Sequence, residues 1–193
     1  MDYSEVQKIA KQALSYARKI IEPGMPLPEL RKLCENEMMR LGADSFWYWN
    51  IGALCFSGDE TAVSVSGKKY RTSDRVIAAD DIITIDLSPQ RKKIWGDYAR
   101  TVVLEKGRVV EKIENISNDE WRAGLLMEEC LHRELEHFAT PATTFEELYD
   151  YMKYCAAGFL IRRRFKISRC CGHAALDILL QRPDLAGWSA HIF

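Results

Sequence analysis

Asp81–Val103, DIITIDLSPQRKKIWGDYARTVV, is the stretch whose reading decides the fold. It reads as two strands of a hairpin, each carrying one aspartate that its surroundings do not explain. The first strand, Ile82 to Leu87, is a β-branched run bounded by Asp80-Asp81 and Pro89. The second, Tyr98 to Leu104, is entered through Gly96-Asp97 and closed by Lys106-Gly107. Ser88 to Lys93 between them is polar and contains proline, which suits a turn.

Asp86 lies inside an apolar strand, where a carboxylate is costly to bury unless a cation or strong donors compensate it. Asp97 follows eleven residues later, at the start of the returning strand. Folding the hairpin about its middle brings both side chains to one end of the sheet. Two converging carboxylates with no basic partner make a site for a hard divalent cation, since oxygen ligands suit such ions. Without a cation, Asp86 ends a strand and Asp97 is a turn residue, as aspartate commonly is. Spacing alone leaves both readings open.

Asp-Ile-Ile-Thr-Ile-Asp followed by Gly-Asp-Tyr-Ala-Arg-Thr resembles the metal-binding hairpin of the methionine aminopeptidase, prolidase and creatinase family, the pita-bread metallopeptidases. That family's pattern is an apolar strand ending in Asp, a short hairpin, then Gly-Asp-x-x-Arg-Thr. The resemblance implies that Asp86 and Asp97 are metal ligands and that Arg100 and Thr101 support the hairpin. It extends over roughly residues 1 to 150 and is strongest from Asp74 to Val103.

Composition agrees with a globular enzyme or binding domain. The chain has 193 residues, a formal net charge of −1 and 47% apolar residues, enough for one domain with a real core. Near-neutral charge argues against nucleic acid or an anionic membrane as the main partner. Neither a signal-like segment nor an apolar run of membrane-spanning length is expected, and a cytoplasmic protein is the default. Six cysteines, Cys34, Cys55, Cys130, Cys155, Cys170 and Cys171, form no Cys-x-x-Cys pair and read as reduced, buried small residues.

In chain order, Ser4 to about Ile21 has helical apolar spacing, with Glu22-Pro23-Gly24 ending it. A second helix opens at Pro26-Leu27-Pro28-Glu29 and stops at Gly42. Phe46-Trp47-Tyr48-Trp49 and Ile51 to Phe56 read as strand material, serving either core packing or the wall of an apolar substrate pocket. Where the family usually carries a substrate-binding histidine, this chain has Ser64 and Ser66-Gly67. A serine donates one hydrogen bond but does not shuttle a proton near neutral pH. Trp47 and Ser66 are the candidate substrate-binding residues. Asn118 to Phe138 is a capped helix on which His132 and His137 read as surface or rim residues. Thr140 to Leu148 opens a further helix through Met152 and Cys155. Its Glu-Leu start lies 118 residues after Glu29-Leu30, a weak internal repeat.

The reading is therefore an α/β (α+β) pita-bread fold. A single domain over residues 1–193 has two pseudo-symmetric helix–helix–strand halves around a curved antiparallel sheet, incomplete at the C-terminus. Past Asp150 the chain is aberrant: basic residues accumulate, and Gly158 to Arg164 keeps no clean helical or strand pattern. Cys171-Gly172-His173 resembles the family's next metal ligand, so His173 is the third candidate. Two later glutamates of the family pattern have no counterpart before Phe193. A truncated member, a natural pseudo-enzyme and a shifted reading frame are three explanations. The resemblance implies two divalent metal ions (Mn, Co, Fe or Zn), which supply an activated hydroxide to hydrolyse an N-terminal residue or dipeptide from a peptide substrate. A monomer or homodimer is expected. The alternative is an inactive pseudo-peptidase that binds a peptide or protein in its cleft; no catalytic residue is assigned.

Overall fold

The computed structural model describes residues 3–163, with side chains to residue 156. Helix α1 (Tyr3–Ile20) and helix α2 (Leu27–Arg40) come first. Pro26 and Pro28 flank the first position of α2, where a missing N–H costs nothing. A Schellman ending closes it: Gly42 N–H donates to the Met39 carbonyl and Ala43 N–H to that of Met38, both at 3.0 Å. Gly42 adopts φ +104° there, which a side chain would resist.

Among the described residues seven strands follow: β1 (Ser45–Phe46), β2 (Ala53–Ser57), β3 (Asp81–Leu87), β4 (Pro89–Arg91), β5 (Ile94–Trp95), β6 (Tyr98–Glu105) and β7 (Arg108–Val109). The larger sheet has order β2-β3-β6-β7 with every neighbour antiparallel. Alternation gives it two faces. Ala53 and Cys55 of β2, Ile83, Ile85 and Leu87 of β3, and Val102 and Leu104 of β6 join α1 and α2 in one core. Leu30 and Ile83 are fully buried, and such side chains contribute roughly 1.5–3 kcal/mol each. Leu54, Thr84, Asp86 and Thr101 belong to the opposite face.

Two expectations about local structure are corrected. Trp47 to Trp49 is not strand: Ile51 N–H donates to the Tyr48 carbonyl at 3.0 Å, and Trp49 and Asn50 take φ 54° and 56°. Two successive left-handed residues reverse the chain, and this outweighs the strand preference of the aromatics. Nor is Ser88 to Lys93 a simple turn. β4 and β5 pair with each other around Lys92 and Lys93 (φ 51° and 67°), and β1 adds to form a second sheet, β1-β4-β5. Asp44 Oδ2 fixes that tip by accepting the Lys92 N–H at 2.8 Å.

Helix α3 (Asp119–Phe138) starts at Asn118, whose side chain accepts the N–H groups of Glu120 and Trp121. Helix α4 (Phe145–Arg163) starts with a reciprocal box between Thr144 and Glu147. It runs to Arg163, through the stretch expected to be irregular. Ala, Leu and Arg are good helix formers and offset Gly158, so the helix continues without a clean apolar stripe. α3 and α4 pack around Met127, Leu131, Leu135, Leu148 and Met152, a core separate from the first among the described residues. Leu30 and Leu148 occupy the fourth position of α2 and α4 and are both fully buried, as the 118-residue repeat predicts. No disulfide joins Cys34, Cys55, Cys130 and Cys155. No helix among the described residues is long and apolar enough to cross a membrane.

Candidate metal centre

In the strand register Asp86 stands opposite Leu54 on one side and Ala99 on the other. Asp97, two residues ahead of Ala99, enters β6 on the same face by alternation. The two aspartates are thus diagonal neighbours, with backbones roughly 7–8 Å apart and carboxyls able to close the gap. The Asp97 carboxyl reaches that of Asp86. Burial raises Asp86 to about 6, and the neighbouring Asp97 carboxyl pulls the other way. Asp97 itself is 5% exposed. Asp86 is half-buried and Asp97 buried, and their converging carboxyl oxygens are the donor set that divalent cations prefer.

Asp97 is held from three directions. Its N–H donates to Gln7 Oε1 of α1 at 2.9 Å, and Gln7 Nε2 donates back to the Asp97 carbonyl. Gly96 lies against the α1 backbone, so a Cβ there would stand 3.1 Å from the Val6 carbonyl. Trp47 Nε1 donates to the Gly96 carbonyl at 2.9 Å. The Trp47 ring leans on Trp95, centroids 5.1 Å apart, and on Tyr48 at 5.2 Å. The hairpin is braced beyond the acids. Thr84 and Thr101 hydroxyls meet at 3.1 Å across β3 and β6, and Arg100 stacks over the Tyr98 ring at 4.4 Å.

Beside Asp86, the buried Leu54 belongs to a cluster with Ile51, Tyr70, Tyr48, Phe56 and Val65. Tyr70 Oη accepts the Cys55 N–H at 2.8 Å and donates to its carbonyl at 3.2 Å, and burial pushes the phenol up to about 12. Ser66 is exposed and opens the turn into Tyr70; its carbonyl accepts N–H groups from Lys69 and Tyr70. The next residue, Gly67, donates its N–H to Tyr48 Oη at 3.1 Å, and its missing side chain leaves room for Tyr48 and Trp49. Tyr48 thus meets the Trp47 ring and the backbone of Gly67, the residue after Ser66, and Trp47 bonds the hairpin backbone at Gly96.

His132, expected at the surface or rim, is partly buried. Its side chain is 18% exposed, with Nε2 buried, and stands 3.8 Å from Glu128 one turn earlier. Burial and the nearby Arg100 cation hold it down at about 4, while burial raises Glu128. A histidine on the polar side of a helical pattern gives no sign of a sheet arginine beneath it. Gln7 was missed for a related reason, although a glutamine between Val6 and Ile9 on the buried side of α1 is a visible irregularity.

His173, the third ligand implied by the resemblance, lies outside the described residues, as do Cys170 and Cys171. Among the described residues no group of three or more His, Cys, Asp or Glu is arranged to hold a metal. Asp86 and Asp97 would hold a divalent ion only as part of a fuller set, and their carboxyl oxygens fit such an ion.

Helices on one face of an antiparallel sheet, with two converging aspartates on its central hairpin, define a pita-bread fold present in part. Residues 2–175 match the metallopeptidase family M24, and the chain belongs to that family. Its members generally bind divalent metals. Similar solved structures include the aminopeptidase PepP of Pseudomonas aeruginosa, with TM-score 0.70, 17% identity, and 91% of this chain and 36% of that one covered. The X-Pro aminopeptidase of Thermotoga maritima gives 0.66, 19%, 83% and 39%. The prolidase of Pyrococcus furiosus gives 0.66, 20%, 80% and 41%. The chain thus spans about two fifths of the length of these structures. No curated protein matches it in sequence.

Proposed function

We propose that this chain is a metal-dependent peptidase domain that acts on the free amino end of a peptide, releasing one residue or a dipeptide. The single observation behind this reading is the convergence of Asp86, half-buried, and Asp97, buried, at the end of a braced hairpin. Two divalent ions drawn from Mn, Co, Fe or Zn would, when bound, polarise a carbonyl and make water acidic enough to react at neutral pH. Asp86 and Asp97 would hold them. Gln7 and Gly96 keep Asp97 in place, and the Thr84–Thr101 contact keeps the two strands in register. Trp47 and Ser66 would flank the peptide, a role supported for Trp47 by its bond to the hairpin at Gly96 and for Ser66 by its exposure. The fold relatives named above are X-Pro aminopeptidase, prolidase and aminopeptidase, in keeping with a substrate read from its amino end.

The test is metal content and turnover measured together. After equilibration with Mn²⁺ and desalting, the wild-type chain is expected to retain metal and Asp97→Ala to retain none. Peptides with a free amino end, X-Pro peptides among them, should lose their first residue, and N-acetylated controls should not. Retained metal without cleavage would point to a peptide-binding module. Wild-type metal no higher than in Asp97→Ala sinks the metal reading.

A further inference from the structure

We infer that Gln7 is a positioning residue for the metal centre, the side-chain amide that aims the Asp97 carboxyl at Asp86. The need for it comes from where the β3–β6 ladder stops. Its last pair is Leu87 with Tyr98. Continuing the register would set Asp97 opposite Ser88, but the main chain of Ser88 is bonded elsewhere. Its N–H donates to the Gly52 carbonyl at 2.9 Å, and its carbonyl accepts the Trp47 N–H at 3.2 Å. Asp97 therefore reaches the end of the sheet with one backbone donor and one acceptor that the ladder does not serve. Buried groups of this kind need partners. Gln7 supplies both, its Oε1 accepting and its Nε2 donating, across 90 residues of sequence and at 8% exposure.

The side chain does what a neighbouring strand would do. Only an amide offers a donor and an acceptor on one planar group of this reach. Leucine offers neither, and ionised glutamate offers the acceptor alone. Fixing both backbone groups of Asp97 fixes the plane from which its carboxyl projects. Partners that orient ligands in this way commonly govern metal affinity. The inference rests on the metal reading above, so its test has an arm that needs no metal.

In the metal-free full chain, amide exchange at Asp97 and its χ1 population, read from three-bond couplings, are compared in wild type, Gln7→Leu and Gln7→Glu. Gln7→Leu is expected to speed exchange at Asp97 about tenfold or more and to average χ1, with the Ile83 and Val102 amides unchanged. Gln7→Glu, keeping the acceptor half, should fall between. In the second arm Gln7→Leu weakens Mn²⁺ binding by about 10- to 100-fold, and Gln7→Glu by less. An unchanged Asp97 amide and rotamer overturn the inference, as does a freed Asp97 with undiminished Mn²⁺ affinity. A wild-type chain that takes up no Mn²⁺ brings down the metal reading alone, and the exchange and rotamer arm then decides whether Gln7 orients Asp97. If Gln7→Leu does not fold, Gln7→Glu carries the same comparisons.

Discussion

Gly96 is where helix and hairpin come closest, and its Cα hydrogen faces main-chain atoms that cannot swing aside. An added methyl would sit 3.1 Å from the Val6 carbonyl carbon and oxygen and 3.2 Å from Gln7 N. Gly96→Ala is expected to cost about 1–3 kcal/mol, as overpacking does. Thermal unfolding should then fall by roughly 2–4 °C per kcal/mol for a chain of this size. Gly124→Ala in α3, where nothing lies within 4 Å, should move the other way by up to about 1 kcal/mol. His132 gives a second residue-level outcome. Its folded pKa, about 4, lies below the unfolded value of about 6.5, so the unfolded chain binds the extra proton. Stability from this group is complete above about pH 6.5, is lost as pH falls towards 4, and levels off below that. His132 ring shifts followed by NMR should titrate near 4; a midpoint near 6.5 would contradict the burial. Asp86 and Asp97 were legible because their spacing and the Gly-Asp-x-x-Arg-Thr context are local. Gln7 was not, because its partner lies 90 residues away and no local rule pairs a helix amide with a hairpin backbone.

At the scale of elements, the β4–β5 tip carries two lysines in a conformation that asparagine and glycine adopt more easily. A two-residue turn with both φ positive favours Asn-Gly, and left-handed residues with a Cβ cost roughly 1–2 kcal/mol each. Lys92→Asn with Lys93→Gly is therefore expected to stabilise the chain by about 1–2 kcal/mol, read as a higher unfolding midpoint. No gain would mean that the two lysines take left-handed conformations here at little cost. Helix ends were readable in advance, since Pro26, Gly42, Asn118 and the Thr144–Glu147 box act on their own backbones. The Trp47 to Asn50 turn was not. Aromatic residues signal strand, and only the tertiary lodging of Tyr48 and Trp49 against Gly67 reveals the reversal. The same limit applied to α4, whose length is set by propensity after the apolar pattern has faded.

For the molecule as a whole, the two cores set the expected hierarchy of stability. One joins α1 and α2 to the large sheet, and the other lies between α3 and α4. Backbone amides of Ile83, Ile85 and Val102 should exchange only on global opening. Those of Leu131 and Leu148 should exchange about tenfold faster or more, in a smaller cooperative unit. Equal rates would show the helix pair welded to the sheet. The architecture was legible in the hairpin and in the helix-start repeat, whereas the independence of the second core follows from packing that no sequence period encodes. This partition also orders events during synthesis. Every described residue that places Asp86 and Asp97, from Gln7 through the end of β7, precedes Val110. A chain emerging from the ribosome at about 5–20 residues per second would therefore have roughly 3–10 s to close helix onto hairpin before α4 is complete. The acidic pair is set in place while the second helix pair is still being made.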